Sequence, residues 1–274
     1  AQWPGSSLWV LGTFLAIARP HHGKASNAPG HELPIDWLAL FAQNEAGWLN
    51  LCHHVSRAHL DRPLELDPHV ELDSLRGHTD GLICLTGGNE GALARLFAQG
   101  RHDEATHYCD ALQALFGDRL YIEITRTGEP EEEASEEELI ALAYARDIPL
   151  VATNPAQFAE RHFHPAHDAM LCIANSTHVD SPDRPRSSAE RWAKPADVMA
   201  DLFADLPEAL ANTLVVAQRC AYAPPKRKPL LPSLAGDREG EARMLADDAR
   251  AGLAKRLAPY WPGVTEEELA ETLA

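Results

Sequence analysis

Apolar runs alternate with helical patterns through the first two thirds of the chain. "SLWVLGTFLAIA" (7–18), "IDWLALFA" (35–42), "GLICLTG" (81–87), "RLYIEIT" (119–125) and "IPLVATN" (148–154) each fit a buried strand. Between them, "EAGWLNLCHHVSRAHL" puts Trp48, Leu51, Cys52, Val55 and His59 on one helical face and leaves His53 and His54 on the exposed side. "EGALARLFAQG" and "DEATHYCDALQALFG" are two further helices, each closed by a glycine in the stop position. "SEEELIALAYARD" opens with a serine cap at Ser135 and carboxylates in its first turn. Strands alternating with helices predict a parallel α/β core.

Past residue 176 the pattern changes. "STHVDSPDRPRSSAERWAKP" is polar and rich in Pro and Ser, and it reads as a long loop. Pro195 and Pro207 each open a helix in the stretch that follows. "APPKRKPLLPSLAGD" is an extended linker, and "REGEARMLADDARAGLAKRLAPYW" is a final amphipathic helix. No internal repeat is visible. The expected layout is an α/β domain over 1–176, a loop plus helices over 177–222, and a linker with a helix over 223–274.

Composition narrows the class. With 274 residues, 45% of them hydrophobic, the chain can bury a sizeable core. The formal net charge of −17 repels phosphate backbones, so direct nucleic-acid binding is disfavoured. Cys52, Cys84, Cys109, Cys172 and Cys220 form no CxxC pair, and they read as reduced, buried thiols of a cytoplasmic protein. No apolar run approaches a membrane span, and a soluble chain with no membrane partner is expected. The opening "AQWPGSSLWVLG" has no basic region of a signal peptide and no initiator Met, so a fragment is expected.

Three histidines within six positions, His162, His164 and His167, followed by Asp168, are the first chemical candidate. A metal site wants such ligands converging from several elements. The plain structural alternative is a helix N-terminus, with Pro165 in the first turn. The pairs His21–His22 and His53–His54 are weaker, because adjacent side chains point apart. "EPEEEASEEE" (129–138) reads as a solvated helix start whose acids favour the macrodipole. The Gly87–Gly88 pair lies between a strand and a helix but matches neither a dinucleotide fingerprint nor a phosphate loop. No nucleophile elbow and no DxD pair of carboxylates is present.

Seven stretches carry a resemblance: "ALFAQNEAGWLNLCHHVSRAHL", "GLICLTGGNEGALARLF", "FGDRLYIEITRTG", "IPLVATNPAQF", "AHDAMLCIA", "LFADLPEALANTLVVAQRC" and "KRKPLLP". In this order and spacing they resemble the N-terminal PHP (polymerase and histidinol phosphatase) domain region of bacterial C-family replicative polymerases, the DNA polymerase III alpha subunits. The resemblance spans roughly residues 30 to 260. It implies a distorted PHP-type (β/α) barrel, here expected to lack its first units with their HxH motif, followed by a helical annex.

In metal-binding members the resemblance implies ligands at positions that hold Trp37, Thr127 and Pro165 in this chain, with only His167 retained. Pro155 and Gln157 also stand where members with a complete site often carry Asp and His. Trp, Thr and Pro do not replace ligands of a hard-ion cluster. The expectation is a remnant cleft of Trp37, Glu123, Thr127, Pro165 and His167, with no metal and no catalytic residue. Trp37 is expected to fill much of the vacated space, and Glu123 and His167 to face one cleft. The resemblance further implies template-directed DNA synthesis by the whole enzyme, with Mg²⁺ on palm aspartates outside this chain. Its implied partners are the proofreading exonuclease subunit and other polymerase III holoenzyme subunits, with DNA reached only through the polymerase core. Two other readings stay open: a metal-dependent PHP phosphoesterase or proofreading exonuclease, and a stand-alone protein-binding scaffold.

Overall fold

A computed structural model describes residues 10–19, 34–229 and 232–257, with scattered positions from 259 to 271. His21, His22 and the first residues of the 7–18 run lie outside the described residues. The chain divides into two compact units, 1–224 and 225–274.

The first unit is an α/β structure built on one six-stranded sheet. Its strands are β1 (Gly12–Ala18), β2 (Ile35–Ala42), β3 (Val70–Glu71), β4 (Leu82–Leu85), β5 (Leu120–Thr125) and β6 (Leu150–Thr153), in the order β3-β1-β2-β4-β5-β6. Strands β4, β5 and β6 run parallel, as the alternating pattern predicts. β2 does not: it is antiparallel to both β1 and β4, with Ala16 opposite Trp37 and Leu40 opposite Cys84. A parallel neighbour to β1 would need a crossover element. The connecting sequence "RPHHGKASNAPGHELP" (19–34) has no apolar helical periodicity to supply one.

Side chains alternate across the sheet, and both faces are covered, which is why the strands read as unbroken apolar runs. Leu38, Leu40, Cys84, Ile122 and Leu150 face the main core with α1 (Glu45–Leu60), α2 (Ala92–Ala98), α3 (His102–Phe116) and α4 (Pro130–Arg146). Ala39, Ile83, Leu85, Tyr121 and Val151 face Val216 and Cys220 around α7 (Pro207–Arg219). Gly100 and Gly117, which close α2 and α3, take positive φ of 70° and 57°, as stop glycines should.

The helical annex is part of the first unit. α6 (Ala196–Leu202) starts after Pro195, and α7 has Pro207 in its first turn. Phe203, Leu206 and Ala209 enter the main core. Asn212 donates to Leu150 O at 2.7 Å, and Arg126 bridges Glu136, Asp205 and Leu202 O.

Four local expectations are corrected. The buried stripe of α1 is Gly47, Leu51, His54 and Ala58, while Cys52 and Val55 are exposed. The helix is rotated by about one position because Gly47 must pass the Gly81 carbonyl, where an added Cβ would lie 1.9 Å away. His54 is therefore inside and not on the exposed side. α4 begins at Pro130, capped by Glu129 in a reciprocal pair with Glu132, so Ser135 is a mid-helix residue donating to Glu131 O. In the second unit, α8 (Arg238–Leu257) buries none of its residues. Four of the five cysteines are buried as expected; Cys52 is not.

The inward turn of His54 gives a pH dependence. Its Nε2 lies 2.9 Å from His78 O, so Nε2 carries the proton and donates, and the ring is neutral. Burial holds its pKa below the ordinary 6.5 against the opposing bond to the His78 carbonyl, and the His53 and His78 rings act electrostatically in the direction of burial. His53 stacks on His78 at 3.9 Å and is lowered too, first by burial and then by His78. A depressed imidazole keeps its full stabilising contribution above 6.5 and loses it as pH falls, because the unfolded chain takes up the proton first. Urea midpoints measured between pH 7.5 and 5 should fall more steeply for the wild type than for His54→Gln. Equal slopes would show that His54 does not titrate differently in the two states.

Candidate functional site

The parallel strands β4, β5 and β6 point their C-terminal ends the same way, which brings the turns after them together. Glu123 is the central side chain there. It sits on β5 with 6% exposure. One carboxylate oxygen accepts from Gly87 N at 3.0 Å and the other from Thr153 Oγ1 at 2.5 Å, tying the turn after β4 to the end of β6. Burial raises its pKa, and the bonds from Thr153 and Gly87 pull the other way.

The Gly87–Gly88 turn is explained by this packing. Gly87 has φ of +87°, and an added Cβ would lie 2.0 Å from Trp37 O. Its amide, the group a phosphate would need, is already used by Glu123.

The segment 176–195 lies across these strand ends and is fastened at both flanks. Ser188 donates to Thr127 O, and Asn154 donates to Trp192 O at 3.0 Å. Arg191, 6% exposed, reaches Glu129 at 3.0 Å and Glu90 at 3.3 Å. Phe158 and Trp192 form an isolated parallel bridge. A cavity of about 620 Å³ remains beneath, lined by Glu90, Arg95, Glu129, Gln157, Ser187 and Arg191 among others. Within its lining Arg191 pairs with both Glu90 and Glu129, and Arg95 with Asp36.

Two members of the histidine run, His164 and Asp168, serve the same fastening. His162 pairs with Glu160 at 3.1 Å, His164 Nε2 meets Ser187 O at 2.9 Å, and His167 Nε2 meets Gln157 Oε1 at 3.1 Å. Asp168 takes Arg184 in a two-pronged bond, with one arm at 2.7 Å. These residues lie at the start of α5 (His164–Ala174), whose first turn holds Pro165, exposed.

The positions singled out in the sequence bond to different partners. Trp37 lies on β2 and is half-buried. Thr127 is 1% exposed, and its hydroxyl donates to Glu132 at 2.9 Å, so it belongs to the cap of α4. Glu132 itself is buried at the start of an otherwise solvated acidic run. Glu123 and His167 share no bonding partner. Among the described residues no group of three or more His, Cys, Asp or Glu is arranged to hold a metal ion. With Trp37, Thr127 and Pro165 in place and both oxygens of Glu123 engaged, the side chains do not fit a metal cluster.

What sequence reasoning missed is a buried ion trio. Asp36, 1% exposed, accepts from Arg19 at 2.7 and 3.0 Å and from Arg95 at 3.2 Å. A lone acid inside the apolar run "IDWLALFA" was the available signal, since a buried charge must be paired.

Comparison with known proteins places this geometry. The PHP domain family model matches residues 10–127. Over that stretch the chain is similar to PHP domains. Its relatives are polymerase subunits. It is 45% identical to DNA polymerase III subunit alpha of Caulobacter vibrioides over 232 residues, 84% of this chain and 20% of that protein. Against the subunits alpha of Rickettsia bellii and Escherichia coli K12 it is 34% identical over 253 and 233 residues, 92% and 84% of this chain. Those matches cover 22% and 20% of the two proteins, so the chain spans about a fifth of the length of these relatives. No helix among the described residues is long and apolar enough to cross a membrane. The PHP match ends at Thr127, yet the folded unit continues through α7, so the annex completes the core that the PHP strands begin.

Proposed function

We propose that this chain is part of a DNA polymerase III alpha subunit of the bacterial cytoplasm, and that its PHP domain is a metal-free scaffold. The observation that carries the reading is the 45% identity to the Caulobacter vibrioides subunit across 84% of the chain. The whole subunit would perform template-directed DNA synthesis, with Mg²⁺ held by carboxylates outside this sequence. Within it, the PHP domain supports the polymerase body and docks the proofreading exonuclease subunit, beside other holoenzyme subunits. The fastened segment 176–195 and the engaged carboxylate of Glu123 support a structural role for the strand-end cleft. The net charge of −17 favours protein partners over DNA.

Sedimentation of the purified chain mixed with the exonuclease subunit of the same source tests the scaffold reading. A 1:1 complex at micromolar concentration is expected, with no primer extension from dNTPs and Mg²⁺ by the chain alone. Independent sedimentation of the two proteins would refute the docking role. Extension by homogeneous chain would refute the inactive reading.

A further inference from the structure

We propose that the outer face of α5 is the docking stripe for a short amphipathic helix, apolar on one side and basic at its ends, carried by the exonuclease subunit. The inference rests on the docking role proposed above and names the surface that performs it.

The two faces of α5 differ in character. At about 100° per residue, His164, Asp168, Leu171 and Cys172 share one side. That side holds the segment 176–195, through His164 to Ser187 O and Asp168 to Arg184. Phe163, Ala166, Met170, Ile173 and Ala174 share the other, within an arc of about 100°. All five are exposed, Met170 at 65% and Ile173 at 79%, and within α5 only Cys172 is buried. Single exposed apolar side chains are ordinary on a protein surface, but an unbroken apolar stripe along a helix marks a contact.

Size and charge select the occupant. α5 has 11 residues, so the stripe is about 16 Å long and about 10 Å wide. Two globular partners in stable contact each bury about 800 Å². The stripe alone is too small to hold a second copy of this chain, but it fits one face of a single helix with anchors at i, i+3 or i+4, and i+7. The stripe carries no charge. Glu160, which also pairs with His162, precedes it in the chain, and Asp180 and Asp183 follow it. The guanidiniums nearby are engaged, Arg161 with Glu190 and Arg184 with Asp168, while Arg186 lines the cavity with Leu171 on the inner side of α5. Lys or Arg at the ends of a guest helix would therefore meet carboxylates.

Ile173→Lys and Met170→Lys, made separately in the full chain, test this by sedimentation with the exonuclease subunit of the same source. Leu214→Lys, at a comparably exposed leucine on α7, is the control. The wild type and Leu214→Lys should form the complex, and each α5 variant should bind at least roughly tenfold more weakly. The melting temperatures of the free variants should equal that of the wild type, because the substituted side chains are exposed. Undiminished binding by either α5 variant would overturn the stripe and leave the docking role standing. No complex with the wild-type chain would overturn both. Equal loss in Leu214→Lys, or a lower melting temperature of a free α5 variant, would also overturn the stripe, since binding would not be specific to it or the face would already be packed.

Discussion

Replacing Asp36 by alanine should cost about 3–5 kcal/mol of folding stability, the loss typical of breaking a buried ion pair by removing one partner. The carboxylate is 1% exposed and receives three guanidinium bonds, two from Arg19 and one from Arg95. Arg19 follows β1, Asp36 lies on β2 and Arg95 on α2, so one side chain joins two neighbouring strands to a helix packed on the sheet. Without it, Arg19 stays buried at 6% exposure with no counter-charge. Arg95 suffers less, because its side chain is 33% exposed and it also bonds Ile35 O. Urea unfolding followed by circular dichroism would measure the change. A loss under about 1 kcal/mol, the scale of a solvated surface pair, would mean that water reaches the trio in solution.

Phe203→Ala is the second large effect, again about 3–5 kcal/mol, from lost burial plus an unfilled cavity. Phe203 is fully buried in the main core although it belongs to the annex, and the Arg126 guanidinium lies 4.7 Å from its ring centroid. If residues 177–222 were a separate domain, the variant would split unfolding into two steps. The shared core predicts a single transition, shifted as a whole. Two transitions, with the sheet surviving the annex, would contradict it.

The strands were legible because both faces of the sheet are covered, and continuous apolar runs of four to eight residues have few other uses. β2 was readable to the residue, Ile35–Ala42. Its direction was not, since strand polarity depends on what the connecting segment can build, and a two-residue strand such as Val70–Glu71 leaves no periodicity to read. The face of α1 was missed by one position because a single backbone approach, Gly47 to Gly81, outweighs the apolar count. At the candidate site, the sequence showed which positions held unsuitable residues. It could not show that Glu123 is bound by Gly87 and Thr153, or that His162, His164 and His167 each turn to a different partner. The partners of Glu123 lie 30 or more residues away, and the three histidines meet a nearby carboxylate, a loop carbonyl and a side-chain amide, a set that no spacing rule encodes.

The central claim is that this PHP domain is stable without metal. A metal site that stitched the strand ends together would contribute binding free energy to folding, and chelation would remove it. Here the fastening is done by Glu123, by Arg191 with Glu90 and Glu129, and by the Asp168–Arg184 pair. Differential scanning calorimetry of the purified chain, as isolated, after EDTA and after added Zn²⁺ or Mn²⁺, tests the claim most directly. The account predicts one melting temperature across all these conditions. A fall of many degrees on chelation, restored by either metal, would contradict it.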